Sequence, residues 1–186
     1  MRAPVIRLFA AIPVPDAIGE PLLRRQEGIP GARWRPLEAL HVTLRFFGEV
    51  REDVARDLDG ELAAVKGAPL ELTLAGAGAF GEPDRMRAVW AGVEENAALR
   101  VLAGRCDAAA RRAGLKGETR AYRPHVTLAY LRHADPAKVA AWVQANNLLR
   151  TAPFAVEAFG LYSSWSSAEG SHYDLECDYP LTGARP

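Results

Sequence analysis

The chain has 186 residues, and its 49% hydrophobic and 25% charged content is that of a globular protein, which argues against intrinsic disorder. Its 23 basic and 23 acidic residues cancel, which argues against a broad basic surface for non-specific binding of duplex nucleic acid. The length predicts one domain, or at most two small ones, and it is long enough for a substantial hydrophobic core; we expect a single domain, residues 1–186.

Hydrophobic periodicity and boundary signals predict a mixed order of strands and helices. Strands are predicted at 5–12, 40–47, 69–75, 85–93, 121–130, 154–163 and 171–181. Helices are predicted at 13–25, 51–66, 94–113 and 135–146. Residues 28–36 are predicted to be a loop, and residues 76–84 a turn-rich connection. The segments 69–75 and 85–93, and the last two strands, have the spacing of hairpins, which argues against an all-parallel sheet. We therefore predict an α+β fold with helices covering one face of antiparallel sheets.

Cysteine usage and hydropathy indicate the compartment. Cys106 and Cys177 form no CxxC motif, so no disulfide framework is expected and a reducing, cytoplasmic environment fits best. Cys106 falls on the apolar face of a predicted helix and is expected in the core. No segment reaches the ~18 consecutive apolar residues of a membrane span, so no membrane partner is expected.

One tetrapeptide occurs twice in the chain. Residues 41–44, His-Val-Thr-Leu, recur unchanged at residues 125–128, and the repeat uses two of the 4 histidines. Each copy lies in a predicted strand, and each strand precedes a predicted helix. We interpret the repeat as a duplicated unit that places two equivalent strands about a pseudo-twofold axis.

Strand geometry assigns a face to each residue of the repeat. Side chains alternate along a strand, so His41 and Thr43 share one face while Val42 and Leu44 share the other. The same alternation applies to the second copy. We expect the valine and leucine faces to be core and the histidine and threonine faces to line a polar cleft.

Two histidines and two threonines on one cleft suit displacement at phosphorus. One imidazole can take a proton from water while the other protonates the leaving oxygen, because the ordinary imidazole pKa is ~6.5. The hydroxyls of Thr43 and Thr127 can donate to the non-bridging phosphate oxygens. His41, His125, Thr43 and Thr127 are therefore the predicted catalytic residues, and the sequence leaves open which histidine is acid and which is base.

Other chemistries have weaker support in the sequence. The alternative for the repeat is a pair of ordinary core strands whose histidines are hydrogen-bonded structurally. No His-x-His, His-Glu-x-x-His or Cys/His cluster occurs, so no metal and no cofactor is expected. A Gly-x-Ser-x-Gly elbow is lacking, and the glycines at 76–81 do not have the spacing of a phosphate-binding loop. His133 and His172 have no matching motif and are expected in exposed loops.

In its paired His-x-Thr-x motifs on strands, the chain resembles the 2H phosphoesterases, and among them the bacterial and archaeal RNA 2′,3′-cyclic phosphodiesterases, also called 2′-5′ RNA ligases. The likeness runs almost end to end, through residues 7–11, Trp34, 40–44, 47–50, 87–90, 123–128, 161–164, Gly170, Tyr173 and Leu175. The chain departs from the family pattern after the second motif. Relatives often carry a cation there, where this chain has Ala129 and Tyr130 before Arg132.

The resemblance implies a bilobal fold with two antiparallel sheets, helices on the outer faces and a central cleft. It implies metal-independent opening of the 2′,3′-cyclic phosphate at an RNA 3′ end to a 2′-phosphate. In that reaction His41 would be the general acid to the departing 3′-oxygen and His125 the general base on water. Reverse joining of a 5′-hydroxyl to the cyclic phosphate is expected to be minor because water is abundant, and a monomer is expected.

Five further residues are candidate substrate contacts. Arg123 and Arg45 would share the histidine face on unbroken strands, and each could pair with a phosphate. Phe47 continues the same alternation. With Phe9 and Tyr173 it could stack on a base of single-stranded RNA.

Three other functions remain open on the sequence. The same chemistry could act on a small cyclic nucleotide phosphate such as ADP-ribose 1″,2″-cyclic phosphate, and comparing turnover with an RNA end would decide. A non-catalytic RNA-end binding module would leave the cyclic phosphate intact, although the neutral net charge disfavours it. A purely structural pseudo-symmetric protein would hold the two histidines too far apart to flank one phosphate.

Overall fold

The computed structural model of the protein describes residues 5–83, 85–167 and 170–183. The strands are β1 Val5–Pro13, β2 Arg33–Trp34, β3 His41–Arg51, β4 Leu70–Leu72, β5 Leu74–Glu82, β6 Arg85–Val93, β7 His125–Tyr130, β8 Phe154–Val156, β9 Ala158–Ser167 and β10 Gly170–Pro180. The helices are α1 Asp16–Leu23, α2 Glu52–Ala63, α3 Ala97–Arg112 and α4 Pro136–Asn146, with a short 3-10 helix at Leu37–Ala39.

A large antiparallel sheet runs in the order β10-β9-β1-β3-β7-β6-β5, with β2 added beside β7. Its two middle strands, β3 and β7, pair through Val42 and Val126, whereas the flanking strands pair over most of their lengths. We call β10, β9, β1 and β3 the first half, and β7, β6, β5 and β2 the second half. The predicted bilobal α+β architecture of antiparallel strands and covering helices is confirmed.

Each half is covered by helices. In the first half α2 packs on β1, β3 and β10, and α3 packs on α2 and β3; in the second half α4 packs on β5 and β6. The predicted inward residues of α3, Leu99, Leu102 and Cys106, are at most 3% exposed. The Asn96 side chain caps α3 by accepting a hydrogen bond from the backbone N–H of Leu99 at 2.9 Å.

The faces predicted for the repeated motif are confirmed on the core side. Val42 and Val126 are both 0% exposed, and Leu44 and Leu128 are 3% and 0% exposed. The four side chains belong to one hydrophobic cluster that joins the two halves. The histidines and threonines of the motif are only half-buried.

The segment between residues 69 and 84 folds differently from the prediction. The predicted turn at 76–84 is mostly β5, which pairs with β6, while β4 pairs with β8 in a separate two-stranded sheet. The predicted hairpin of 69–75 with 85–93 is therefore wrong. A glycine is required at residue 78 of β5 because a Cβ there would overlap the indole ring of Trp90.

Other strand boundaries also differ from the predicted ones. Residues 33–34 form β2 inside the predicted loop, because their backbone pairs with β7. The strand predicted at 121–130 begins only at His125, whereas β3 continues past residue 47 to Arg51, with Gly48 at a φ of 79°. The hairpin of the last two strands is confirmed as β9 and β10, but the first residues of the strand predicted at 154–163 form β8, which pairs with β4 in the other sheet.

Candidate active site

The two copies of the motif meet at the centre of the sheet. Because Val42 lies opposite Val126 in an antiparallel pair, the register sets His41 opposite Thr127 and Thr43 opposite His125. All four side chains lie on the face away from the buried valines. The two histidines occupy diagonal positions of this pair, and in a regular antiparallel sheet the Cα atoms of such diagonal neighbours lie about 7–8 Å apart. A pseudo-twofold axis through the valine pair relates the two motifs.

Each imidazole is oriented by the same backbone contact. His41 Nδ1 donates to the carbonyl of Ala39 at 2.9 Å, and His125 Nδ1 donates to the carbonyl of Arg123 at 2.7 Å. In both copies the acceptor belongs to the residue two positions earlier. Since a carbonyl oxygen can only accept a hydrogen bond, Nδ1 must carry the proton, and Nε2 is the atom left for proton exchange.

Aromatic rings flank each imidazole. The His41 ring lies 4.9 Å from the Phe9 centroid and 5.2 Å from that of Tyr173, which meets it edge-on. The His125 ring lies 4.7 Å from Phe80 and 6.2 Å from Trp90. These contacts fix both rings, and they remove water from around them.

The apolar surroundings shift the titration of both histidines. Burial lowers the pKa of His41 from 6.5 to about 4, although the Ala39 carbonyl raises it, and the charges of Arg35 and His125 lower it further. Burial likewise lowers the pKa of His125, against the raising effect of the Arg123 carbonyl. In the absence of a bound anion both imidazoles are therefore neutral at pH 7.

Both motif strands carry a β-bulge at the same motif position. Leu44 is the extra residue of β3 opposite β1, and Leu128 is the extra residue of β7 opposite β6. An extra residue shifts the alternation of side chains by one. Phe46 and Tyr130, each three residues after a motif threonine, consequently line the cleft.

Because of the bulge in β3, two of the predicted substrate contacts, Arg45 and Phe47, do not lie on the cleft face. Arg45 leaves the cleft face, and its guanidinium donates to Asp107 Oδ1 at 2.9 Å, to Glu118 Oε2 at 3.4 Å and to the Lys116 carbonyl at 2.7 Å. Phe47 packs against the hydrophobic core. The unbroken alternation assumed from the sequence does not hold past Thr43.

A cavity of about 650 Å³ opens beside the first motif. His41 and Thr43 line it together with Phe9 and Tyr173, two of the predicted substrate contacts. His125 and Thr127 are not among its lining residues. They continue the same sheet face into the second half, beside Phe80 and Trp90.

Arg123 and the two unpaired histidines have distinct settings. Arg123 is exposed and precedes β7, so the alternation argument does not apply to it, although its carbonyl orients His125. His133 is exposed in a loop, as predicted. The prediction for His172 is wrong: it lies in β10, half-buried, and stacks on Trp165 with centroids 4.3 Å apart.

The structure adds cavity residues that sequence reasoning missed. Arg35, Tyr130, Trp165 and His172 all line the cavity. Tyr130 follows the second motif, so it could have been found had the bulge been foreseen. Arg35 lies in a predicted loop, and nothing in the local pattern points to it.

The described ranges hold no group of three or more His, Cys, Asp or Glu side chains that could bind a metal ion. In the same ranges no helix is long and apolar enough to cross a membrane.

Comparison with known proteins gives a consistent result. Residues 14–166 match the family model described as the 2′-5′ RNA ligase superfamily. The RNA 2′,3′-cyclic phosphodiesterase of Archaeoglobus fulgidus is 32% identical over 134 residues, which cover 70% of this chain and 76% of that protein. The protein of the same name from Methanocaldococcus jannaschii is 26% identical over 91% of this chain and 98% of its own length. The crystal structure of Escherichia coli LigT complexed with 3′-AMP superposes with a TM-score of 0.79 at 28% identity, over 97% of this chain and 100% of that one.

Proposed function

The chain belongs to the 2′-5′ RNA ligase superfamily of 2H phosphoesterases, and from that premise we propose that it hydrolyses the 2′,3′-cyclic phosphate at RNA 3′ ends to a 2′-phosphate. The observation that carries the proposal is the pair of histidines, oriented by identical backbone hydrogen bonds on either side of a pseudo-twofold axis. Named relatives support the substrate, since they are RNA 2′,3′-cyclic phosphodiesterases.

In the proposed reaction a water molecule attacks phosphorus while the bond to the 3′-oxygen breaks. His125 Nε2 takes the proton from the water, and His41 Nε2 gives a proton to the departing 3′-oxygen. The hydroxyls of Thr43 and Thr127 donate to the non-bridging oxygens, where negative charge accumulates. The products are a free 3′-hydroxyl and a 2′-phosphate.

The acid role requires a proton on His41, although burial keeps its pKa at about 4. A bound phosphate anion supplies the missing stabilisation, because a nearby negative charge favours imidazolium and raises its pKa. Substrate binding would thus favour the protonated His41 that the acid role requires. Reverse ligation would use the same groups with the roles exchanged, and it stays minor because water competes with the 5′-hydroxyl.

Tyr173 remains the candidate contact of the terminal nucleotide, since it lines the cavity, packs against the His41 ring and has an aromatic face that suits a base of single-stranded RNA. Phe9 also lines the cavity, but it is only 4% exposed and stacks on Tyr162, so its ring supports His41 rather than a base. Arg123 stays a candidate phosphate contact beside His125 on the exposed rim.

The direct test is product analysis on an RNA oligonucleotide that ends in a 2′,3′-cyclic phosphate. We expect a 2′-phosphate as the product, and EDTA should leave the rate unchanged. A 3′-phosphate product would contradict the assigned leaving group, and an intact cyclic phosphate after long incubation would indicate a binding module. Preferred turnover of ADP-ribose 1″,2″-cyclic phosphate would indicate that the substrate is a small cyclic nucleotide phosphate and not an RNA end.

Substitution of either histidine tests the mechanism. His41→Ala and His125→Ala should each lower kcat by about 10²–10⁴-fold, the usual contribution of a positioned acid or base. His133→Asn is the matched control, because His133 is exposed in a loop at a φ of 54° that asparagine tolerates. Wild-type turnover in either alanine variant would refute the two-histidine reaction.

A further inference from the structure

Arg35 is a buried arginine on the wall of the cavity. It is 7% exposed and directly follows β2. Its backbone N–H donates to the Leu128 carbonyl at 2.8 Å, and its own carbonyl accepts from Gln26 Nε2 at 2.8 Å. The backbone of Arg35 is therefore fixed to the strand that carries the second motif.

The guanidinium of Arg35 lies over two tyrosine rings. Its central carbon lies 5.0 Å from the ring centroid of Tyr173 and 5.6 Å from that of Tyr130. Tyr173 in turn meets the His41 ring edge-on at 5.2 Å. Contact of its face with aromatic rings does not involve the N–H groups of a guanidinium, which lie in its plane.

The first half contains a matching pair. Arg7 lies over the ring of Phe46 at 4.9 Å, and Phe46 occupies in β3 the position that Tyr130 occupies in β7, three residues after the motif threonine. Both arginines and both rings line the cavity. Arg7 is exposed whereas Arg35 is buried, so Arg35 meets less screening by water.

We propose that Arg35 is a further catalytic residue, whose guanidinium donates hydrogen bonds to the non-bridging oxygens of the cyclic phosphate and of its transition state. The planar fork of donors matches two phosphate oxygens. A buried cation stabilises developing negative charge more than an exposed one does. This inference rests on the proposed function, and it names the group that would neutralise the phosphate.

A second observation agrees with this placement. The charge of Arg35 is close enough to lower the pKa of the His41 imidazole. A phosphate bound between the two groups would neutralise that charge and so favour the protonated form that the acid role needs.

The test compares Arg35→Gln, Arg35→Lys and the control Arg132→Gln, an exposed arginine of the loop after β7. We expect Arg35→Gln to lower kcat/KM on the cyclic-phosphate oligonucleotide by about 10²–10³-fold. Arg35→Lys should recover only part of this, because an ammonium is a point charge without the planar fork. The control should match the wild type.

Binding of inorganic phosphate, followed by the NMR shifts of the His41 ring, gives a readout that does not need turnover. We expect Arg35→Gln to weaken phosphate about tenfold or more, and the pKa of His41 in the same variant to rise. A folded Arg35→Gln protein with wild-type kcat/KM and phosphate affinity would overturn the proposal. If that variant does not fold, wild-type kcat/KM in Arg35→Lys overturns the guanidinium contact.

These outcomes separate the two proposals. A wild-type protein that binds phosphate through Arg35 but opens no RNA cyclic phosphate would contradict the proposed function alone. Hydrolysis that does not depend on residue 35 would contradict the role of Arg35 alone.

Discussion

At the scale of single residues, burial of the two imidazoles determines the pH range of the site. His41 faces Phe9, Tyr173 and the charges of Arg35 and His125, and its pKa falls to about 4. The pKa of His125 also falls below 6.5. One ring must be protonated and the other neutral for turnover, so the working range of the free enzyme lies at mildly acidic pH.

We therefore predict a bell-shaped profile of kcat/KM with its optimum between about pH 4 and 6.5. Activity falls as the pH rises because the acid loses its proton, and it falls at low pH because the base gains one. The profile of kcat should lie at higher pH, since the bound phosphate raises both pKa values. Steady-state rates across pH with an RNA oligonucleotide measure both profiles, and a kcat/KM optimum well above pH 6.5 would contradict the burial of the rings.

At the scale of elements, Arg45 anchors β3 to α3 and to the loop that follows it. Its side chain is 11% exposed and pairs with Asp107 and Glu118. Removal of the guanidinium breaks its partly buried hydrogen bond to Asp107 and the bond to the Lys116 carbonyl, which costs more than breaking an exposed pair. Both carboxylates keep an ion-pair partner, Arg111 for Asp107 and Arg120 for Glu118.

Arg45→Met should therefore lower the free energy of unfolding by about 2 kcal/mol, a value set by the hydrogen bonds to charged groups that are lost. Urea unfolding followed by circular dichroism measures the change. The matched control is Arg56→Met, since the pair of Arg56 with Glu52 is exposed on both sides and should leave the midpoint unchanged. Equal midpoints for the two variants would show that the Arg45 network contributes nothing to stability.

At the scale of the whole molecule, the two halves are interleaved along the chain. The order runs from β1 in the first half to β2 in the second, returns to the first with β3 and α2, and enters the second again with β5 and β6. α3 then covers the first half, β7 and α4 belong to the second, and β9 and β10 close the first. Neither half can fold from a continuous piece of sequence.

This arrangement predicts one cooperative unfolding transition for residues 1–186, because the halves share one core across Val42 and Val126. Differential scanning calorimetry should give equal calorimetric and van't Hoff enthalpies. Phosphate at about 100 times its dissociation constant should add about 2.7 kcal/mol to the stability of that single transition. Two resolved transitions would contradict the single domain.

The sequence by itself determined the features that depend on local periodicity. The repeat at 41–44 and 125–128 predicted the buried valine and leucine faces, since alternation within a strand needs no knowledge of its neighbours. The helical spacing of Leu99, Leu102 and Cys106 likewise predicted the buried face of α3.

Only the tertiary structure decided which residues reach the cleft beyond the motifs. The bulges at Leu44 and Leu128 depend on the register in which β1 and β6 pair with the motif strands. Because of these bulges Phe46 lines the cavity in place of Arg45, and Tyr130 lines it as well. Arg35 lines the cavity because the preceding residues, 33–34, pair with β7. Such pairings join residues far apart in the chain, so no local pattern encodes them.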